Sequence, residues 1–411
     1  MHQAAQLDGA IKRDRIVTVS LFTLCQSVQS LTRNAIALFL PVIRRDLGMS
    51  FTQAGTLSAA GTLSYASMQI PSGYLADRFG PKRSFFIGVL GVSTLFLAFG
   101  LVSEYWQAIV NQTLAGFFRA LLFAPGLALL TAWFPPDRRA TALALSGLGG
   151  LLGIILLSTL GPVLVAAFDW RFPFLTFPVT GILGSLLFLR FGKEPPHTSK
   201  REKVSMLEVF KLFQYRLMWV CGAIQFIRLA CMTGITFWLP SLLVDEKGLS
   251  LQVTGLIVAL RALLDAPSRI LGGYASDKMR NPPLIIGLSL LVLAITTPLF
   301  VVVNNTIVLV ILIAINALFV QLYFGPLFAV PGEVLGTRTM GMSIGFSNLF
   351  ANIGGLVFAY LVGALKDASG SFESGFYAIG GACAIGLVFT ALLAQMRHKA
   401  IVSEATEAEN N

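Results

Sequence analysis

Apolar runs of roughly 20 residues or more recur along the chain between short polar connections, and this alternation constrains the fold more than any other feature. A run of that length crosses a bilayer as one helix. Hydrocarbon offers the backbone no hydrogen-bond partner, so each crossing segment must bond internally. The runs fall at about 16–41, 52–75, 84–103, 107–132, 140–167 and 172–192, then at about 214–242, 252–275, 284–303, 306–330, 340–365 and 375–396. The reading is an all-α membrane protein with twelve transmembrane helices in two sets of six. Composition agrees: 55% of the 411 residues are hydrophobic and 12% charged, about half the charged share of an ordinary soluble domain. The runs are too many and too long for a signal peptide.

The polar stretch "KEPPHTSKREK" (193–203) separates the two sets. The expected organisation is an N-terminal bundle over 1–192, a cytoplasmic linker over 193–213, a C-terminal bundle over 214–396 and a cytoplasmic tail over 397–411. With both termini in the cytoplasm, 20 of the 30 lysines and arginines fall in cytoplasmic segments and 5 outside. That bias is the one expected of a bacterial cytoplasmic (inner) membrane protein. The remaining five, Arg33, Arg119, Arg228, Arg261 and Arg269, lie inside spans.

The net charge of +10 does not point to nucleic acid, because the basic residues sit in short connections and form no long arm. Cys25, Cys221, Cys231 and Cys383 lie in apolar runs without metal-ligand spacing, and the three histidines fall in the terminal and central polar segments. No metal, cofactor or nucleic-acid partner is expected. No nucleotide-binding loop or catalytic triad suggests an enzyme.

"GYLADRFGPKR", starting at Gly73, follows the second span, and "GYASDKMRNPP", starting at Gly273, follows the eighth. Gly73/Gly273, Tyr74/Tyr274, Asp77/Asp277 and Arg78/Lys278 match at an offset of 200, half the chain, which reads as two homologous six-helix bundles. The first copy resembles the loop 2–3 signature of the major facilitator superfamily at Gly73, Asp77, Arg78, Gly80, Lys82 and Arg83. "GPVLVAAFDWRFPF" (161–174) is similar to that superfamily's junction of spans five and six. The resemblance implies the major facilitator fold, two pseudo-symmetric bundles that work by alternating access. It also implies that Asp77 clamps the cytoplasmic side. Gly73 is expected to allow a close helix approach and Gly80 a tight turn.

An arginine inside a span costs about 2.5–3.5 kcal/mol on insertion scales and usually faces protein or water. Arg33 shares a helical face with Gln26 and Gln29, Arg119 with Gln112 and Gly116, and Arg228 lies near Gln225. In "RALLDAPSR" Arg261, Asp265 and Arg269 recur every four residues on one face. Asp265 is the only acidic residue deep in a span, so the five arginines leave a positive surplus that an anion would answer. Spans one, four, seven and ten line the central cavity in the superfamily, and Arg33, Arg119 and Arg228 resemble the cationic positions of its organic-anion branch, the anion:cation symporters. Thr32 and Gly126 stand where many members of that branch carry acids. Arg261, Tyr65, Gln69, Tyr323, Asn348 and Asn352 are further candidate ligands, with Asn316 and Gln321 as weaker ones. Asp265 is either a proton carrier or a structural ion pair with its flanking arginines.

The function read from these residues is secondary transport of a small organic anion, a carboxylate or sugar acid, by proton-coupled symport or anion exchange. The partners are the anion, protons and the bilayer, and a monomer is expected. The alternative is nitrate, nitrite or another inorganic anion, since "SGLGGLLG" (146–153) and "NIGGLVFAYLVG" (352–363) share the glycine richness of the nitrate branch. A transporter-like sensor is a third reading. A multidrug exporter fits poorly, because arginines disfavour lipophilic cations.

Overall fold

The computed structural model of the chain describes residues 2–134, 139–194, 214–327, 330 and 340–409. Among these residues there is no strand, and twelve long helices follow one another: α1 (His2–Asp46), α2 (Phe51–Phe79), α3 (Pro81–Phe99), α4 (Tyr105–Ala132), α5 (Arg139–Ala167), α6 (Arg171–Phe191), α7 (Arg216–Ser241), α8 (Leu251–Met279), α9 (Pro282–Val302), α10 (Thr306–Leu322), α11 (Met340–Ser369) and α12 (Glu373–Glu409). A π-helical turn, Leu242–Glu246, prolongs α7. Within the described residues, ten helices, α3 to α12, are long and apolar enough to cross a membrane. Helices α1 and α2, of 45 and 29 residues, have the length, but they carry polar runs such as Gln26, Gln29, Arg33 and Asn34 in α1. Most of the linker, 195–213, lies outside the described residues, and α12 continues without a break past residue 396.

Helix boundaries follow local chemistry. Gly80, at φ 86°, makes the expected turn after α2, and Pro81 then opens α3 where its missing N–H costs nothing. Glu104 and Gln107 form a capping box at the start of α4. The Asn305 side chain caps α10 by accepting from the N–H groups of Ile307 (3.0 Å) and Val308 (3.1 Å). The end of α10 is set by Pro326, which has no N–H for the Leu322 carbonyl and whose ring crowds that oxygen. The helix stops at Leu322, Tyr323 forms a turn, and helical backbone resumes at 324–327.

Contacts divide the chain into two compact units, neither of them a contiguous half. The first holds 1–49, 56–201 and 249–259, the second 50–55, 202–248 and 260–411. Each repeats the same pairings. In the first unit α1 packs on α5, and α3 on α4 and α6; in the second α7 packs on α11, and α9 on α10 and α12. The crossings are also alike in kind. A Cβ at Gly153 of α5 would strike the backbone of Ser27 in α1, and one at Gly354 of α11 would strike that of Phe226 in α7. Between membrane helices no hydrophobic force acts, so such small-residue contacts supply the packing. The other side of α5 faces outward: Leu148, Leu152, Leu156 and Leu160, four residues apart, are all exposed and form a lipid-facing stripe.

The sequence motif at 169–171 is a tie at the end of α1. Arg171 pairs with Asp46 at 2.8 Å, Trp170 donates its indole N–H to the same carboxylate at 3.2 Å, and the Arg171 guanidinium lies 4.3 Å from the Trp170 ring. By contrast, among the described residues nothing lies within 4 Å of where a Cβ on Gly73 would stand, so the close approach expected there is not formed with any of them. Gly61 makes it instead, three turns earlier in α2, where its carbonyl meets the Cα of Gly116 in α4 too closely to admit a Cβ on Gly116.

Glycine 153 therefore has a measurable role. Gly153→Leu should lower stability in detergent by about 1–3 kcal/mol, the usual cost of overpacking. Gly147→Leu on the same helix, where a Cβ meets nothing within 4 Å, should be neutral or stabilising. Thermal unfolding of the two variants beside the wild type checks this.

Candidate functional site

In the first unit the Gly61–Gly116 crossing draws α2 and α4 together beside Arg119. A Cβ on Gly61 would lie 3.3 Å from the Gln112 carbonyl and 3.7 Å from Arg119 Nη1. Arg119 donates to Gln112 Oε1 at 3.4 Å, Gln112 donates to Asn111 (3.1 Å), and Asn111 donates to the Leu95 carbonyl in α3 (2.8 Å). The guanidinium is thus oriented by a chain of neutral amides, while its Nε has no partner. Arg33, exposed on α1, lies close enough for the two positive charges to repel. Tyr65 and Gln69 follow Gly61 at one and two turns on α2, both half-buried.

In the second unit Arg228 is 5% exposed and donates its Nε–H to Gln225 Oε1 at 2.7 Å. Its guanidinium carbon lies 5.1 Å from the centre of the Phe324 ring, just beyond the break in α10. The guanidinium of Arg269 lies at the same 5.1 Å from that ring. Helix α8 is pinned to α10 along this stretch. Ser268 donates to the Leu318 carbonyl, Arg269 Nε donates to Gln321 Oε1 at 3.2 Å, and Gly272 lies against the Leu322 carbonyl. Tyr323 is fully buried beside Arg228, and its hydroxyl has no hydrogen-bond partner.

The ion pair that is one of the two readings of "RALLDAPSR" is not formed among the described residues. Asp265 makes no salt bridge among the described residues, and its Oδ1 has no partner. The reason is competition from neighbouring helices: Arg261 donates to Thr236 Oγ1 of α7 at 2.9 Å, and Arg269 turns to Gln321. Asp265 still lies in the field of both arginines, with Gln321 beside it. Asn316 is taken up by hydrogen bonds to Thr296 (2.9 Å) and Thr297 (3.1 Å) of α9, so it ties helices together. Asn352 donates to the Asn348 carbonyl one turn back (2.8 Å), and neither asparagine bonds the arginines.

The gating residues divide similarly. The side chain of Asp77 lies outside the described residues. Arg78 and Arg83 are exposed, Lys82 is half-buried and Asp277 is exposed. A carboxylate cap of the kind expected from Asp77 does occur, at the opposite end of α2. Asp367, near the end of α11, accepts from Phe51 N (3.0 Å), Thr52 N (2.7 Å) and Thr52 Oγ1 (2.6 Å), while Ser50 Oγ accepts from Gln53 N (3.1 Å). Three N–H groups that every helix start leaves unpaired are satisfied, and the anion sits on the positive end of the helix dipole. The Phe51 ring adds to the contact, lying near Trp238, Phe372 and Lys366, and Lys366 pairs with Glu246 at 2.5 Å. Sequence reading missed both Asp367 and the convergence of Arg269 on Phe324. The first is an isolated helix-end acid, and the second depends on Pro326 breaking α10.

Asp367→Ala should therefore speed amide hydrogen exchange at residues 51–52 and weaken the cap by about 0.5–2 kcal/mol. Asp367→Asn, which keeps an acceptor, should do less. Exchange measured by mass spectrometry on the two variants gives the comparison.

The family model of the Major Facilitator Superfamily matches residues 22–281 and 241–410. Among curated proteins, the chain is 27% identical to the hexuronate transporter of Bacillus subtilis (strain 168), over 97% of this chain and 98% of that one. It is 26% identical to a probable galactarate/D-glucarate transporter of Escherichia coli (strain K12), over 84% and 87%, and 27% identical to a probable nitrate/nitrite antiporter of Thermus thermophilus, over 68% and 65%. The fold is similar to the crystal structure of a bacterial homolog of the human lysosomal transporter Spinster, with a TM-score of 0.77 at 18% identity over 94% of this chain and 97% of that one. The chain is a multi-pass membrane transporter, not an enzyme, and it belongs to the Major Facilitator Superfamily.

Proposed function

We propose that the protein is a secondary active transporter of a small organic anion, a carboxylate or sugar acid, working by alternating access as a proton-coupled symporter or an anion exchanger. One observation carries this reading: the in-span arginines are held by neutral acceptors. Arg119 is oriented by Gln112, Arg228 by Gln225 and Arg261 by Thr236, and no carboxylate pairs with these or with Arg33 among the described residues. Amides fix a guanidinium without neutralising it. A buried cation left in that state favours a counter-anion, and the planar fork of arginine suits a carboxylate. Arg33, Arg119, Arg228 and Arg261 are the proposed charge ligands, with Tyr65, Gln69, Tyr323, Asn348 and Asn352 as polar contributors. The relatives support an organic anion, since hexuronate and galactarate or glucarate are sugar acids.

Nitrate is the second reading, favoured by the Thermus thermophilus relative. The proposed setting is the bacterial cytoplasmic membrane, with the protein a monomer; the basic-residue bias supports both termini inside.

Uptake into proteoliposomes separates the two substrates, with labelled galacturonate and galactarate set against nitrate. Arg119→Ala or Arg228→Ala should abolish anion binding in a protein that remains monodisperse, and Arg228→Lys should also bind poorly because it loses the bidentate fork. Wild-type affinity in both alanine variants would overturn the ligand assignment.

Asp265 is the proposed proton carrier. A substrate anion that draws on Arg261 or Arg269 would weaken their hold on the carboxylate and so link proton binding to substrate binding. Asp265→Asn should then retain substrate-for-substrate exchange but lose accumulation driven by a pH gradient. Accumulation that survives in this variant would leave the aspartate a structural role.

A further inference from the structure

At the end of the first unit where α1 begins and α6 finishes, a cavity of about 280 Å³ is lined by Arg13, Asp14, Val17, Arg190, Phe191 and Lys193. None of these residues belongs to the transport site described above. We propose that this cavity binds the headgroup of an anionic phospholipid, with Arg13 and Arg190 as the ligands of its phosphate.

The charge around the cavity is unbalanced. Three cations line it against one carboxylate, and that carboxylate is engaged, since Lys193 Nζ pairs with Asp14 at 2.8 Å. Arg13 and Arg190 are both exposed, and neither is held by a salt bridge among the described residues. The Arg190 guanidinium carbon lies 5.5 Å from the centre of the Phe191 ring, a contact that places the cation without cancelling its charge. A phosphodiester offers two oxygens to such a planar fork.

The backbone shapes the cavity. Gly192 leaves α6 in an extended conformation, at a position where a Cβ would stand 2.5 Å from the Phe188 carbonyl. The next residue is tied from both sides. Its N–H donates to Thr18 Oγ1 of α1 at 3.0 Å, and its carbonyl accepts from Trp133 Nε1, just past α4, at 3.3 Å. Lys193 therefore stands at a fixed place on the wall rather than at the tip of a loose segment.

Depth decides the kind of anion. Val17 stands at the start of the first apolar run and Phe191 at the end of the sixth, which puts the cavity at the level of lipid headgroups. On α6, Phe191, Leu187 and Leu183 recur every four residues and are all exposed, so an apolar stripe leads from the cavity along the helix. A soluble phosphate would use the cations alone. A phospholipid uses the cations for its headgroup and the stripe for an acyl chain.

The test purifies the full-length protein in detergent with equimolar phosphatidylglycerol and phosphatidylcholine, and native mass spectrometry reads the lipid that stays bound. The wild type should retain phosphatidylglycerol in clear excess. Near an anionic surface each basic residue is worth a factor of about five, so Arg13→Gln combined with Arg190→Gln should lower the ratio of the two lipids at least fivefold. Lysine at both positions, which keeps the charge, should preserve more of the ratio than glutamine and guards against a folding defect. Arg216→Gln combined with Lys399→Gln, two exposed basic residues of the second unit, should change the ratio less than twofold. A wild type without preference, or an unchanged ratio in the first glutamine pair, overturns the proposal. Equal losses in both glutamine pairs would mean diffuse attraction and no site. Displacement of the lipid by excess inorganic phosphate would make the cavity a soluble-anion site and also overturn it.

Discussion

Hydrocarbon offers no hydrogen-bond partner, and most of this architecture follows from that single lack. The backbone must close its own bonds, so the described chain is helix after helix. With lipid as apolar as leucine, helices gain nothing by hiding apolar surface from it and must instead fit one another closely. Hence the crossings sit on glycines, at Gly153 against Ser27 and Gly354 against Phe226, and the two units reuse one solution. Where the backbone does break, at Tyr323, polar side chains and charges gather around the gap.

Charge obeys the same constraint. Ion pairs in the described structure, such as Arg171 with Asp46, Lys193 with Asp14 and Lys366 with Glu246, stand outside the long apolar runs. Deeper in the spans the partners change character, and glutamine or threonine oxygens take the place of carboxylates. Such neutral acceptors orient a guanidinium without cancelling its charge.

Much of this was legible from the residues, and the limits were physical. Helix number and type follow from run length, because a span of some twenty apolar residues admits few alternatives. Glutamines at i−7 from Arg119 and i−3 from Arg228 share a helical face by spacing alone, and both bonds are present. The Arg261–Asp265–Arg269 spacing misled for the opposite reason. Side chains one turn apart can meet, but partners on α7 and α10 outbid the neighbour on the same helix. Gly73 misled likewise, since a motif marks a position in sequence while the crossing point, here Gly61, is set by how two helices tilt. The arginine pair on Phe324 joins three helices and was beyond any one-dimensional pattern.

The break in α10 has a bearing on how the arginines beside it are held. The last carbonyls of α10, at Leu322 and its neighbours, carry the partial negative charge of a helix C-terminus, and they end two residues before the ring that both arginines face. This fixed, uncharged dipole steadies the two arginines without cancelling their charge. Pro326, by ending the helix at that depth, sets the position of the dipole as well as that of the ring.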